Sequence, residues 1–387
     1  MRIDFSERIS RLPPYLFAEL ERIIAEKKRQ GKDIISLSIG DPDLPPPPSV
    51  LESFRKEAAN PANHKYSFSQ GEPDFREAVA NWYEKRFKVK IDPKSEVIAL
   101  LGSKEGIANI ARAFVNAGDR VLVPDPSYPV YSNGGALLND GVPLVMPLLE
   151  ENGYRPDLES LNDAKMMFLN YPNNPTGAVV NESFLKKAID IAREKNIIVC
   201  YDNAYSEIVF DDYRAPSILE IDGAMDVAVE FHSCSKTFNM TGDRIGFAVG
   251  NRKLIEGLVK VKSQIDSGPP VYIQKVAKQA LEGYVNGDPP EHLKTANRTY
   301  RQRRDTLVEG LKSIGLECEK PKGTFYVWPR CEEKSMDLTM KLLDVGVVVT
   351  PGIGFGKFGE HHIRFALTRP KEEIEEACKR ISKVLRR

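Results

Sequence analysis

The sequence predicts an α/β protein: a large domain built on a seven-stranded, mostly parallel sheet, joined to a small α+β domain. Three observations predict it. From about residue 96, short apolar runs recur seven times, most of them separated by helix-like or loop stretches. The runs are continuous rather than alternating, which marks strands buried on both faces. After residue 285 the rhythm changes to a charged helical stretch, strand-like segments and a last helix, the pattern of a smaller α+β unit.

Each element has its own signal. Residues 15–30, "YLFAELERIIAEKKRQ", place Leu16, Leu20, Ile23 and Ile24 on one helical face. Pro13 and Pro14 precede that helix and Gly31 ends it. "IISLSIGDPDLPPPP" runs from a strand into an extended proline segment, which reads as a connection between domains. The seven apolar runs are "EVIALLG", "RVLVPDP", "PLVMPL", "MMFLNYP", "IIVCYDN", "VAVEFHS" and "RIGFAVG", with helical "ESFLKKAIDIAREKN" between the fourth and fifth. Beyond them, "HLKTANRTYRQRRDTLVEGLKSIG" is helical and "TFYVWP", "VGVVVTP" and "HIRFAL" are strand-like. "EEIEEACKRISKVL" closes the chain as a helix. The large domain is therefore expected over residues 45–284, and the small one over 1–44 with 285–387.

Composition narrows the function classes. The 387 residues suit two domains at roughly 100–200 residues each. Lys+Arg and Asp+Glu are both 55, so no basic surplus points to nucleic acid or an anionic membrane. The five cysteines form no C-x-x-C pair, and with an odd count a reduced cytoplasm fits. "MRIDFSERIS" has no apolar core of a signal peptide, and no apolar run approaches the roughly 20 residues of a membrane span. Adjacent His361 and His362 point apart on a strand, so no metal site is expected.

Ligands bind parallel α/β sheets at the carboxyl ends of the strands, and four runs end in polar residues. "IALLGSKEGIANIARAF" passes through Gly102, Ser103 and Lys104 into a helix, whose free amides suit a phosphate. "FLNYPNNPTGAVV" ends in Asn173, Asn174, Pro175, Thr176 and Gly177, residues that also make plain turns. "IIVCYDNAYSEI" puts Asp202 at a strand end with Tyr205 three residues on. An Asp there is often only a helix cap; the alternative is a carboxylate facing a cationic ring nitrogen. "HSCSKTFNMTGDRIGFAVG" sets Lys236 beside Ser233 and Ser235, with Arg244 eight residues later.

A lysine amine forms a Schiff base with an aldehyde cofactor. Pyridoxal 5'-phosphate needs an imine lysine, a carboxylate for its pyridine nitrogen, donors for its phenolate oxygen and a phosphate cup. Lys236 can supply the first and Asp202 the second. Tyr205 and Asn174 can supply the third, and Ser103, Ser233, Ser235 and Arg244 the fourth. Each residue alone has an ordinary explanation; the ordered set at successive strand ends does not.

"NYPNNPTG", "YDNAYSE" and "SCSKTFNMTGDRIGF" resemble the three signatures of the class I/II aminotransferases of pyridoxal-phosphate fold type I. "SLSIGDPDLPPP", "KYSFSQGEPDFREAVANWY", "PDPSYPVY", "GTFYVW", "PGIGFG" and "HIRFAL" extend the likeness over nearly the whole chain. The resemblance implies that Lys236 holds the cofactor and moves the α-proton, and that Tyr128 stacks on the cofactor ring. It implies that Arg364 grips the substrate's α-carboxylate and that Gly40 lies against the substrate. Tyr66 would reach the phosphate of the neighbouring subunit, giving a homodimer with shared active sites.

Within the family, "GSKEGI", "VPDPSYPVY", "AYSEI" and "VKSQIDSG" are most similar to the LL-diaminopimelate aminotransferases. That likeness brings Tyr15 and Lys104 to the substrate, Lys104 also standing at the cofactor's phosphate end. It implies LL-diaminopimelate as donor, 2-oxoglutarate as acceptor and a place in lysine biosynthesis. Gln70, with Glu72 close behind, is then the expected acceptor for the far ammonium. Two departures stand out: Asp243 replaces the tryptophan usual before Arg244, and "SGPPVYIQ" differs from the common wording. An aspartate/alanine-type aminotransferase and a cofactor-dependent C–S β-lyase remain alternatives. A regulator carrying such a domain would need a DNA-binding unit, for which the residues before 45 leave little room.

Overall fold

The computed structural model describes residues 3–13 and 16–385 of the chain. Strand β1 (Ile35–Ser36) is short. The next seven, β2 (Val97–Leu100), β3 (Arg120–Asp125), β4 (Val142–Pro147), β5 (Met166–Asn170), β6 (Ile198–Asp202), β7 (Ala228–Ser233) and β8 (Gly246–Gly250), form one sheet in the order β2-β8-β7-β6-β5-β3-β4. Each predicted apolar run supplies one strand of it. Only β8 runs antiparallel to its neighbours.

Alternate residues of these strands enter two different cores. Ala99, Leu122, Met167, Leu169, Val199, Tyr201 and Phe247 pack on one face. Ile98, Val121, Val123, Met166, Phe168, Cys200, Phe231 and Ala248 pack on the other. Helices Pro73–Phe87 and Val271–Glu282 contribute to the first core, and helices Ser103–Phe114 and Arg252–Lys262 to the second. Covering on both faces is why the strand sequences read as continuous apolar runs. Edge strand β4 is the exception, with Val142 and Val145 exposed.

Strands β9 (Tyr326–Val327), β10 (Val347–Val348), β11 (Thr350–Pro351) and β12 (Ile363–Ala366) are shorter. They form an antiparallel sheet, β11-β12-β9, and a parallel pair, β1-β10. A third core joins Ile35 and Leu37 to Leu307 and Leu311 of helix Glu291–Lys312, Phe365, and Ile374 and Ile381 of helix Lys371–Leu385. The first predicted helix lies at Leu16–Arg29; Tyr15 falls outside the described residues. No described helix is long and apolar enough to cross a membrane.

Candidate active site

Strand polarity concentrates the polar residues. The carboxyl ends of β2, β5, β6 and β7 share one edge of the sheet, and antiparallel β8 starts from that edge. A cavity of about 300 Å³ opens there. Ser103 and Lys104 reach it from beyond β2, Asn174 from beyond β5, and Asp202 and Tyr205 from the end of β6. Ser233 ends β7, Ser235 and Lys236 follow it, Arg244 precedes β8, and Gly40, Tyr128 and Arg364 also line the wall.

At the deep end, Asp202 is buried and accepts a hydrogen bond from Tyr131 Oη at 2.7 Å. The Ala204 amide donates to its Oδ1 at 3.3 Å. Burial raises the Asp202 carboxyl from 3.8 to about 6, the bonds from Tyr131 and Ala204 opposing it. A cation placed against this carboxylate would relieve that cost, so the site suits a protonated ring nitrogen. Asn170 supports the corner: its Nδ2 donates to the Asp202 carbonyl at 2.8 Å, and its Oδ1 accepts from the Asn174 amide at 2.8 Å.

Lys236 lies in a single helical turn, Cys234–Thr237, after β7. Its Nζ donates to the Gly40 carbonyl at 2.8 Å and stands 5.5 Å from the Phe325 ring centroid. Burial lowers the amine from 10.5 to about 8; Asp41 opposes that shift, while Arg364 and Arg244 add to it. A lysine held this way is a ready nucleophile near neutral pH.

Arg364, on β12, is buried between two rings, its Cζ 4.2 Å from the Tyr326 centroid and 4.7 Å from that of Phe355. It donates to Asn174 Oδ1 at 2.8 Å and to the Ser38 carbonyl at 2.6 Å. Asn174 thus turns its oxygen to the arginine and keeps its Nδ2 donors for the cavity. Tyr205 and Tyr326 share a hydroxyl contact of 3.1 Å. Burial pushes the Tyr128 phenol up to about 12, keeping that ring neutral.

The opposite end is built for an anion. Helix Ser103–Phe114 begins at Gly102 with φ 79° and no side-chain cap. A Cβ on Gly102 would run into the Arg244 guanidinium, so glycine here admits both the left-handed backbone and the arginine. Ser235 Oγ is buried without a hydrogen bond, an orphan awaiting an acceptor or donor. With Ser233, Arg244 and the uncapped helix start, it forms a cup whose donors fit a phosphate. A buried carboxylate, a lysine and a donor cup lining one cavity match the chemical pattern of pyridoxal phosphate.

Tyr66, expected at the neighbouring subunit's phosphate, is not in its own subunit's cavity wall and is 89 % exposed. Gln70 Nε2 donates to the Lys94 and Val97 carbonyls at 3.0 Å each, and buried Glu72 accepts from the Phe68 amide. The donor end of Gln70 and Oε1 of Glu72 therefore secure their own segment. Asn173 is a turn builder, its Oδ1 taking the Thr176 amide and hydroxyl. Gly40 is dictated by packing: a Cβ there would overlap the Tyr326 hydroxyl. Asp243 is not in the cavity wall. Sequence reasoning missed Tyr131, Asn170, Tyr326, Ser38 and Thr241, all of which line the cavity. Tyr131, in "PSYPVY", lies one helical turn from Tyr128, a spacing that signalled a shared face.

Residues 32–381 match the family model described as aminotransferase class I and II. LL-diaminopimelate aminotransferase of Desulforudis audaxviator is 49 % identical over 384 residues, 97 % of this chain and 96 % of that one. The enzyme of the same name from Moorella thermoacetica is also 49 % identical, over 98 % of both. Substrate-bound BacF of Bacillus subtilis is 38 % identical with a TM-score of 0.94, covering 99 % of this chain and 98 % of that one. An aspartate aminotransferase double mutant of Thermus thermophilus is 29 % identical with a TM-score of 0.93, covering all of both chains. With the family model spanning most of its length, this chain belongs to the class I and II aminotransferases, enzymes that depend on pyridoxal phosphate.

Proposed function

We propose that this enzyme moves an amino group from LL-diaminopimelate to 2-oxoglutarate in lysine biosynthesis, as a cytoplasmic homodimer with shared active sites. The observation that carries the catalytic part is Lys236, Asp202 and Arg364 lining one cavity. The donor is supported by the full-length likeness to LL-diaminopimelate aminotransferases at 49 % identity.

Bound pyridoxal phosphate supplies an electron sink for the substrate's α-carbon and carries nitrogen from donor to acceptor. Lys236 would hold the cofactor, and its Nζ would take the substrate's α-proton and return it. Its amine, lowered to about 8, is partly unprotonated near neutral pH. Asp202 keeps the ring nitrogen protonated. Tyr205 and Asn174 Nδ2 donate to the ring oxygen, and Tyr128 covers the ring face. Ser103, Lys104, Ser233, Ser235 and Arg244 hold the phosphate, joined by Tyr66 of the partner subunit. Arg364 takes the α-carboxylate through its planar fork, Gly40 lies against the substrate, and Lys104 faces its far end; the resemblance assigns Tyr15 to the same substrate.

The division into residues 45–284 and 1–44 with 285–387 is part of this reading, supported by separate apolar cores on and off the large sheet. The test is a donor panel of LL-diaminopimelate, aspartate, alanine and tyrosine with 2-oxoglutarate, scored as glutamate formed. LL-diaminopimelate is expected to lead in kcat/KM. A lead for aspartate or alanine refutes the donor assignment, and pyruvate with ammonia instead of glutamate indicates a lyase.

A further inference from the structure

Lys262 is the last residue of helix Arg252–Lys262, and its side chain is wholly buried. A lysine is seldom fully buried unless paired, and this one meets two carboxylates. Its Nζ donates to Glu105 Oε1 at 2.9 Å and to both oxygens of Asp266, at 3.0 and 3.1 Å. The two acids belong to different parts of the molecule. Glu105 stands in the first turn of helix Ser103–Phe114, directly after Ser103 and Lys104 in the cavity wall. Asp266 organises the following loop: its Oδ1 accepts from the Gly268 amide at 2.7 Å. That loop holds the segment carrying Tyr66, because Ser67 Oγ donates to the Ser267 carbonyl at 2.7 Å.

We propose that Lys262 is a positioning residue that couples two phosphate-binding elements: the helix start of its own subunit's cup and the loop that presents Tyr66 to the partner's cup. The second half rests on the shared-site reading above. A one-sided role does not account for the geometry. Glu105 alone would fix only the helix, and Asp266 alone only the loop; one ammonium between them ties the positions together. Neutralisation is also incomplete, since one lysine faces two acids and Glu105 Oε2 is buried without a hydrogen bond. The arrangement thus favours held geometry over charge balance.

The first measurement is pyridoxal-phosphate half-saturation, read from the lysine-linked absorbance of reconstituted enzyme. Lys262→Met leaves two part-buried acids without their shared cation and is expected to weaken folding as well as binding. The combined variant Lys262→Met, Glu105→Gln, Asp266→Asn removes that strain. It is expected to melt near the wild-type temperature yet need at least tenfold more cofactor. Removing two acids near an anion site would by itself tighten binding, so loosening reports lost positioning. Wild-type cofactor affinity in the combined variant overturns the proposal.

The second measurement uses differently tagged hybrid dimers in which one subunit carries Lys236→Ala, so the lysine-linked absorbance reports only the other subunit's site. Tyr66→Phe or Asp266→Asn is then added to the Lys236→Ala subunit. Each is expected to raise half-saturation of the competent site threefold or more. If Tyr66→Phe acts and Asp266→Asn does not, the Lys262 proposal falls and the shared site stands. If Tyr66→Phe has no effect, the shared-site reading falls and takes the proposal's second half with it. The mild Asp266→Asn change keeps this arm decisive even if the combined variant does not fold.

Discussion

At the residue scale, the chemistry depends on two groups held away from their ordinary proton affinities by burial. Asp202, raised from 3.8 to about 6, makes a measurable trade. The folded apoenzyme binds that proton more tightly than the unfolded chain. Its contribution to stability is therefore present below about pH 4 and lost as pH rises through about 6. The loss is about 3 kcal/mol once the carboxylate is ionised. Apoenzyme of Asp202→Asn is expected to melt above the wild type at pH 7, the gap closing toward pH 4, while kcat falls at least a hundredfold. Equal melting temperatures at pH 7 would contradict the burial cost. Lys236→Ala is expected to abolish turnover and the borohydride-sensitive yellow colour of the loaded enzyme. Retained transaminase activity in that variant would remove Lys236 from its role.

Among the elements, segments far apart in sequence meet at single contacts. Gly40 lies where the Lys236 amine and the Tyr326 hydroxyl converge. Gly40→Ala is expected to lower kcat/KM at least tenfold by pushing Tyr326 and the 38–41 segment apart. Adding Tyr326→Phe should restore part of it, and a double-mutant cycle measures the coupling; strictly additive losses would separate the two residues. Asp125, at the end of β3, clips the loop after β11 by accepting from the Lys357 and Phe358 amides at 3.0 Å each. The Ser127 amide adds a bond of 2.7 Å to the Phe355 carbonyl. Because Phe355 flanks Arg364, Asp125→Ala is expected to raise the donor KM more than it lowers kcat, with about 1–2 kcal/mol of lost stability. An unchanged KM would show that the clip does not set the arginine's position.

For the whole molecule, the outward face near Tyr66 is informative. Tyr66, Phe68 and Ile265 are 89, 61 and 48 % exposed, and the Ser67–Ser267 bond joins their segments. Large exposed apolar side chains that share a face suit a protein interface. Sedimentation is expected to give a dimer. Mixing inactive Lys236→Ala with an inactive Tyr66 variant is expected to restore activity through hybrids. A monomer with full activity in dilute solution would rule this out.

The sequence by itself determined the sheet and most of the site. Continuous apolar runs reported strands covered on both faces, and the polar residues closing those runs were placed together by strand polarity alone. Lys236, Asp202, Asn174 and Arg244 were legible because each sits at a strand end. Tertiary structure decided what periodicity does not encode. Tyr131, Asn170 and Tyr326 had no role legible in the sequence, since their partners lie 71, 32 and 121 positions away. Gln70 was read only as an acceptor; folding also gives it a donor role, its Nε2 holding the Lys94 and Val97 carbonyls. Gly40 was expected only to lie against the substrate; folding also puts the Tyr326 hydroxyl in the space of its missing Cβ. Local sequence sets which groups a strand end carries. The hydrogen bonds and close approaches that orient them are long-range, and only packing selects which distant segment supplies each partner.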